Sequence, residues 1–273
     1  MVKKSLFWFV LFLLGYSLFI AVYPNKGVGT HQWQENQIKV HKYLYGGQID
    51  SVIVGTSLSA HILADSIPSI CSCAFSGCVV EDGLRIILSQ QKTPKYVFIE
   101  TNYSLRSSNG DIVKTNIHGV LPFLRKFIPA LREQNAPICV FGSWCMPDAL
   151  APSAVVELNR LNENIDKRLN ESFSKRLPKA QLTKRLTVIK QLVAMLEKRG
   201  ATIVFYEMPL NQRLIHTESN DQTRQAMRKS FPVSHYVFIP TDTSTYITSD
   251  GEHLDREGQR RYSHFFKEHL KNL

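Results

Sequence analysis

A serine, a histidine and an aspartate that lie far apart in this sequence are the side chains best suited to chemistry. The stretch SDGEHLDREGQ at residues 249–259 places Asp250 three residues before His253, near the end of the chain. Ser57 follows the apolar run VIVG, where a sharp turn after a strand would expose its hydroxyl. A serine hydroxyl is a weak nucleophile at neutral pH and needs a neighbouring base that a third group orients. We therefore predict Ser57 as nucleophile, His253 as general base and Asp250 as the orienting carboxylate.

An acyl-transfer site also needs hydrogen-bond donors for the oxyanion of the tetrahedral intermediate. The candidates are the backbone N–H groups of Ser57 and Gly77 and the side-chain amide of Asn102, each of which follows an apolar run. Each also has an ordinary structural interpretation, because serine caps helices, asparagine forms turns and glycine supplies backbone freedom. Gly83 is an alternative glycine for the second position. We expect no metal and no bound cofactor.

Five apolar runs, separated by helical patterns, predict the strands that must position these residues. The runs lie at residues 51–57, 71–77, 95–104, 201–209 and 235–240. The alternation of strands and helices predicts an α/β fold, a three-layer sandwich with a mostly parallel central sheet. In such sheets, sites form at the carboxyl ends of the strands. We therefore expect the candidate residues to meet along one edge of the sheet.

Helical patterns fill the segments between and after the later strands. One amphipathic helix carries an apolar face over residues 158–169, and a second carries one over residues 182–196. The second pattern stops before Gly200, and glycine is typical of helix C-termini. A closing helix follows the histidine motif, and either Asp250 or Asp255 is suited to cap it.

An uncharged apolar segment at residues 5–23 precedes the α/β region. As a helix it would rise about 28 Å, close to the roughly 30 Å hydrocarbon core of a bilayer. Lys3 and Lys4 come before it, so the positive-inside rule puts the N-terminus in the cytoplasm. We expect a single-pass protein of the cytoplasmic membrane whose C-terminal domain is extracytoplasmic. A cleaved signal peptide is the alternative, although its apolar region is normally shorter and ends in a small-x-small site.

The chain therefore divides into three predicted parts. An N-terminal signal anchor covers residues 1–24, a linker with a first helix covers residues 25–48, and the α/β domain covers residues 49–273. An irregular insertion that contains several prolines interrupts the domain around residues 105–153. Long irregular segments of this kind often serve function, and a lid over the site is one interpretation of this insertion.

The composition is that of a folded, basic protein. Its 273 residues are 44% hydrophobic and carry a net charge of +10, which favours anionic partners such as anionic lipid or an acidic polymer. We expect no nucleic-acid partner, because no such motif is present and a membrane segment is. Basic pairs such as Lys167-Arg168 are typical of a solvated face, and His61 of an exposed helix position. The five cysteines suit buried small side chains, with disulfides or a zinc site as alternatives.

The candidate residues resemble the four sequence blocks of the SGNH (GDSL-like) hydrolase superfamily over about residues 49–273. The first family block, a strand followed by Gly-Asp-Ser, corresponds to VIVGTS, with Ser57 as nucleophile. The second and third blocks supply oxyanion donors, for which FSG offers Gly77 and IETNYS offers Asn102. The last block, Asp-x-x-His before the terminal helix, corresponds to Asp250 and His253.

Two of the blocks depart from the family pattern, since Thr56 replaces the usual Asp and the Gly-x-Asn-Asp form of the third block is absent. With the N-terminal anchor, they resemble the membrane-tethered branch, which serves in O-acylation of exported polysaccharides and cell-wall polymers, often beside a multi-span acyltransferase. The resemblance implies a serine acyltransferase or esterase that acts on an envelope or exported polysaccharide through an acyl-enzyme. Two alternatives are a lipid or carbohydrate ester hydrolase and a non-catalytic binding or scaffold protein of a polysaccharide-modification complex.

Overall fold

The computed structural model describes most of the chain and divides it into two compact units. The described residues are 2–22, 27–47, 49–64, 67, 69–145, 158–173 and 175–271. We call Met1–Gly47 together with Asp111–Ala151 the N-terminal unit. Gln48–Gly110 together with Pro152–Leu273 is the sheet unit. All the candidate catalytic residues belong to the sheet unit.

Strands and helices alternate through the sheet unit, while the described part of the N-terminal unit consists of helices and turns. The strands are β1 (Ser51–Gly55), β2 (Ile70–Ala74), β3 (Tyr96–Glu100), β4 (Thr202–Tyr206) and β5 (Val237–Phe238). The helices are α1 (Val2–Val22), α2 (Gln32–Tyr45), α3 (Val80–Leu88), α4 (Asp111–Ile117), α5 (Val120–Phe127), α6 (Pro137–Cys145), α7 (Leu158–Arg168), α8 (Lys179–Lys198), α9 (Gln212–Ile215), α10 (Glu218–Ser230) and α11 (Arg256–Leu270). Short 3-10 turns lie at Ser59–His61, Pro129–Leu131 and Glu133–Asn135, and a π-helical turn, Leu169–Phe173, continues α7.

The five strands form one sheet in the order β2-β1-β3-β4-β5, and every neighbouring pair is parallel. The predicted α/β fold with a parallel sheet is therefore confirmed, and each strand falls at one of the predicted apolar runs. Strand β5 covers only two residues of its run and pairs with β4 at one edge of the sheet.

The register of the sheet brings the carboxyl ends of four strands to one edge. Gly55 of β1 pairs with Ala74 of β2, and Glu100 of β3 pairs with Tyr206 of β4. The strands β1 and β3 are also neighbours, with Val54 opposite Ile99. The segments that carry the candidate serine, glycine and asparagine each begin where one of these strands ends.

Strand β1 is buried on both of its faces, which explains its continuous apolar run. Val54 faces α3 at Gly83, where an added Cβ would lie 2.7 Å from the Val54 side chain and 2.5 Å from a backbone oxygen. Gly83 is thus a packing residue inside a buried helix and not an exposed donor. In the neighbouring strand β3, the Phe98 ring lies 5.3 Å from Phe266 of α11.

Helix α8 ends as its sequence predicts. Gly200 has a φ of +88°, a conformation that glycine adopts without strain. Its N–H donates to the Glu197 carbonyl at 2.8 Å, and the Ala201 N–H donates to the Leu196 carbonyl at 3.1 Å. This is a Schellman arrangement, which satisfies the last carbonyls of the helix and turns the chain into β4.

Helix α1 has the length and composition of a membrane span. It contains 21 residues, its mean hydropathy reaches 2.3, and only 6% of its apolar window is buried. A signal sequence near an N-terminus meets the same criteria. The predicted insertion begins in the sheet unit at residues 105–110, but its residues 111–145 pack within the N-terminal unit, where α1 contacts Pro129–Leu131 and α2 contacts Glu133–Asn135. Residues 146–153 of that insertion lie outside the described residues.

A buried histidine links α2 to this insertion. His41 is fully buried, and its Nδ1 accepts a hydrogen bond from the Glu133 backbone N–H at 2.8 Å. Its Nε2 lies 3.0 Å from the Asn116 side-chain oxygen, to which it donates in the tautomer that the first bond requires. Burial, together with the charge of Arg125, lowers the pKa of His41 to about 3, so the ring is neutral.

Candidate active site

The predicted serine, histidine and aspartate form one chain of hydrogen bonds in the sheet unit. Ser57 Oγ lies 2.9 Å from His253 Nε2, across 196 positions of sequence. His253 Nδ1 lies 2.8 Å from Asp250 Oδ2. A carboxylate accepts only, so Nδ1 carries the proton and the lone pair of Nε2 faces the serine hydroxyl. This is the arrangement in which an imidazole withdraws a proton from a nucleophile.

The spacing of three residues between Asp250 and His253 closes a tight turn. Asp250 Oδ1 accepts the backbone N–H groups of Glu252 at 3.0 Å and His253 at 2.8 Å, while Oδ2 faces the imidazole. Gly251 has a φ of +94°, and a Cβ there would lie 2.8 Å from Ile165. Both the backbone conformation and the packing therefore require glycine at this position.

Helix α11 has a separate cap, which settles one of the open alternatives. The Asp255 carboxylate accepts the Gly258 N–H at 2.7 Å, as the N-cap of the helix. Asp250 thus does not serve as the cap. Burial by itself raises the pKa of Asp250, but the hydrogen bonds from His253 outweigh it and hold the pKa well below its ordinary value. The carboxylate is therefore ionised throughout the neutral range.

Arg168, at the end of α7, pairs with the same oxygen of Asp250 that faces His253. Its Nη2 lies 2.6 Å from Asp250 Oδ2, and its Nη1 pairs with the buried carboxylate of Glu252. The sequence interpretation of Lys167-Arg168 as a solvated pair fits Lys167, which is exposed, but not Arg168. No sequence signal distinguishes the two, because the ion pair joins residues about 80 positions apart.

A buried carboxylate holds the turn that carries Ser57 by hydrogen bonds. Glu100 is the last residue of β3 and is fully buried. Its Oε2 accepts the Thr56 backbone N–H at 2.8 Å, and its Oε1 accepts the Thr56 hydroxyl at 2.8 Å. The Ser59 hydroxyl also donates to Oε2, at 2.5 Å. Burial raises the pKa of Glu100 despite these donors.

A tyrosine of β4 extends this network. The Tyr206 hydroxyl donates to Ser59 Oγ at 2.6 Å, so the hydrogen bonds run from β4 through the turn to β3. Gly55 lies against the same groups, and a Cβ there would lie 2.6 Å from both Glu100 and Ser59. This network was not predicted. The one sequence feature that could have indicated it is Glu100, an acidic residue at the end of the apolar run YVFIE.

The two other candidate oxyanion donors follow β2 and β3. Gly77 has a φ of +74° in an exposed turn, where the Cys78 N–H donates to the Phe75 carbonyl at 3.2 Å. Asn102 is nearly buried, and its amide pairs with the backbone of Met208, donating at 2.9 Å and accepting at 2.7 Å. The side-chain amide of Asn102 has two N–H donors, and the pairing with Met208 uses one of them.

His61 lies beside the candidate base. It ends the 3-10 turn that follows Ser57, and its ring centroid is 6.0 Å from that of His253, with the rings nearly perpendicular. The residue is exposed, as the sequence predicts, yet it belongs to the surroundings of the site. Within the described residues, no three His, Cys, Asp or Glu side chains are grouped as a metal site would require.

No protein-family model matches the chain, and no curated protein matches it. The chemistry of the site is therefore inferred from its own residues.

Proposed function

We propose that this chain is an SGNH-like serine acyltransferase or esterase that acts on O-acyl groups of an envelope or exported polysaccharide. The observation that carries the proposal is the hydrogen-bond chain from Ser57 through His253 to Asp250, with distances of 2.9 and 2.8 Å. It lies where the parallel strands end, as sites in open α/β sheets do. The resemblance of the four sequence blocks supports the same class.

The proposed reaction proceeds through an acyl-enzyme. Ser57 Oγ attacks the acyl carbonyl carbon while its proton passes to His253 Nε2, and the negative charge moves to the carbonyl oxygen. When this intermediate collapses, the ester bond breaks and the leaving alkoxide takes the proton from Nε2. An acceptor hydroxyl then gives its proton to Nε2 and attacks the acyl carbon; the bond to Ser57 Oγ breaks, and Oγ takes the proton back from Nε2. Asp250 stabilises the imidazolium in both half-reactions.

Three donors are proposed for the oxyanion: the N–H groups of Ser57 and Gly77 and the second N–H of the Asn102 amide. Each is worth about 10²–10³-fold in rate at sites of this kind. The buried Glu100 network would hold the Ser57 turn rigid and so keep its N–H aimed at a fixed point. It uses Thr56, the residue that replaces the usual family Asp, as its contact.

The finer features of the proposal concern architecture and location. We propose a three-layer, flavodoxin-like sandwich, because the strand order β2-β1-β3-β4-β5 is that of doubly wound sheets and α3 and α11 both pack on strands. We also propose that α1 anchors the protein in the cytoplasmic membrane with the sheet unit outside. A net charge of +10 suits an acidic polymer or anionic lipid nearby.

Active-site labelling tests the nucleophile directly. The full-length chain in membranes is treated with a fluorophosphonate probe, which reacts with activated serines. Labelling is expected in the wild type and lost in Ser57→Ala and His253→Ala. Ser234→Ala and His235→Ala are matched controls, because both residues are exposed in the sheet unit. A folded wild type without labelling would contradict the enzyme and leave the scaffold alternative.

The acceptor is the remaining choice, because hydrolysis and transfer use the same residues. An acyl donor is supplied with and without a polysaccharide, and the products are separated. Acylated polysaccharide in the first sample supports a transferase, whereas free acid in both samples shows an esterase.

A further inference from the structure

The N-terminal unit exposes an unusual number of large apolar side chains on two helices outside α1. The exposed residues are Val120, Leu121, Phe123, Leu124, Phe127, Ile138, Phe141 and Trp144, with exposures from 36% to 73%. We call these eight residues of α5 and α6 the apolar face. Each of the two helices exposes several large apolar side chains, and exposed apolar patches mark protein or membrane contacts.

The two helices have the amphipathic pattern of an interfacial segment. On α6, Ile138, Phe141 and Trp144 follow one another at three-residue spacing, while Cys139 and Val140 between them are buried. On α5, most side chains are exposed and apolar, whereas Pro122 and Arg125 turn inward. Both helices are too short to span a bilayer, so a membrane contact would lie in the plane of its surface.

Two contacts tie α6 and the turn before it to α1. The Tyr16 hydroxyl donates to the Asn135 carbonyl at 2.6 Å, in the turn before α6. The Trp144 ring meets Phe19 at 6.1 Å with the planes nearly perpendicular. Phe19 is three residues before the end of α1, which is about 4.5 Å along the helix axis at 1.5 Å per residue. If α1 spans the membrane, Trp144 therefore lies at the level of the bilayer interface, where tryptophan is enriched.

The charges of this segment favour lipid as the occupant over a general protein surface. Residues 111–145 contain four basic side chains and two acidic ones, and the acidic ones, Asp111 at the start of α4 and Glu133, lie outside α5 and α6. Lys126 is exposed within α5, while Arg125 and Arg132 donate to backbone carbonyls and stiffen the segment. Basic residues beside an apolar face are the composition of helices that lie at anionic lipid surfaces.

We propose that α5 and α6 form a second membrane contact, in which the apolar face is buried at the lipid interface beside α1. The proposal rests on the membrane anchor of the proposed function, but not on its chemistry. It gives the insertion the role of membrane attachment, with the anionic bilayer surface as its partner.

The three tryptophans of the chain allow a direct test, because each lies in a different element of the N-terminal unit. Trp8 is in α1, Trp33 is in the polar helix α2, and Trp144 is in the apolar face. Three full-length variants keep one tryptophan each and carry phenylalanine at the other two. Each is reconstituted in vesicles of phosphatidylcholine and phosphatidylglycerol, with and without brominated acyl chains, and fluorescence is measured.

We expect brominated lipid to quench Trp8 and Trp144 and to spare Trp33, which aqueous iodide quenches instead. If brominated lipid quenches Trp8 but iodide quenches Trp144, α1 is in the membrane and the apolar face is not. That result would overturn the proposal, keep the anchor and favour a protein partner for the apolar face. Trp8 open to iodide would overturn the anchor as well. Fluorophosphonate labelling of Ser57 in the same samples reports the chemistry separately.

Charge insertion gives a second measurement. Phe141→Glu in the Trp144 variant should reduce quenching by brominated lipid, because a carboxylate opposes burial at an anionic interface. Val233→Glu, an equally exposed apolar position in the sheet unit, should leave quenching unchanged. Equal quenching in all three proteins would contradict the proposed contact.

Discussion

Two histidines, one in each unit, have both ring nitrogens hydrogen-bonded, but their hydrogen-bond partners are of different kinds. His253 has Asp250 at Nδ1 and the Ser57 hydroxyl at Nε2. His41 has a backbone N–H at Nδ1 and donates from Nε2 to Asn116. The two rings are therefore opposite tautomers. Only the first leaves a lone pair facing a group that can lose a proton.

The hydrogen-bond partners of each ring determine the free energy that is needed to protonate it. A carboxylate beside His253 stabilises an imidazolium, and a quarter of that side chain is open to solvent. His41 is fully buried near Arg125, so charging it would break the bond from Glu133 and add a like charge. Of these two histidines, His253 is the candidate base because Asp250 orients its lone pair toward the Ser57 hydroxyl, whereas the Nδ1 lone pair of His41 accepts a backbone N–H.

The largest expected effect separates the two histidines by activity. His253→Gln should lower the turnover of an acyl ester on the order of 10⁴-fold, because the nucleophile loses its base. His41→Gln should leave the turnover of the folded protein unchanged. Steady-state rates, together with circular dichroism to establish folding, check both. Comparable losses in the two variants would remove the distinction.

A smaller loss is expected at the candidate oxyanion donor. Asn102→Ala should lower turnover about 10²–10³-fold, because the intermediate loses one donor. Thr101→Val is the neighbouring control, since the Thr101 hydroxyl donates to the Tyr206 carbonyl at 3.1 Å and its removal breaks one bond to the end of β4, whereas Asn102→Ala breaks two bonds to Met208. If both variants lose activity equally, Asn102 serves only to join the strands.

The third effect tests whether the carboxylate of the candidate site needs its arginine. Arg168→Gln should lower turnover about 10-fold, in line with a hydrogen bond to a charged group worth about 1.5 kcal/mol. Arg168→Lys should restore part of the loss, and Lys167→Gln should be neutral because that residue is exposed. Unchanged turnover in Arg168→Gln would show that the ion pair is only structural.

The last prediction concerns stability and not activity, and it belongs to His41. Its pKa falls from the ordinary value of 6.5 to about 3 in the folded protein, so the unfolded chain binds more protons between these values. Stability should therefore fall as the pH drops through this window, by up to about 1.4 kcal/mol per pH unit. Denaturant unfolding of the full chain at pH 7 and pH 4.5 measures this change.

Replacing His41 by glutamine should flatten that pH dependence, whereas replacing the exposed His118 by glutamine should not. An equal slope in the His41→Gln variant would assign the acid sensitivity to other groups.

Much of the sheet unit could be predicted because its signals are local. Short apolar runs locate the strands, Gly200 marks the end of α8, and Asp255 has the type and position of a helix cap. The contacts of the charged residues Arg168 and Glu100 were not predictable from local sequence patterns. Arg168 resembles its neighbour Lys167 in sequence, and Glu100 meets Thr56 and Ser59 only after two strands pair.

The sequence by itself determined the kinds of residue and their positions at strand ends, since side-chain chemistry and hydrophobic periodicity act over a few residues. It also determined the turn in which Asp250 precedes His253 by three residues. Only the tertiary structure decided that His253 faces Ser57, that Arg168 holds Asp250, and that residues 111–145 pack with α1. Those pairings join segments distant in the chain, and they depend on how helices and strands pack, which local patterns do not encode.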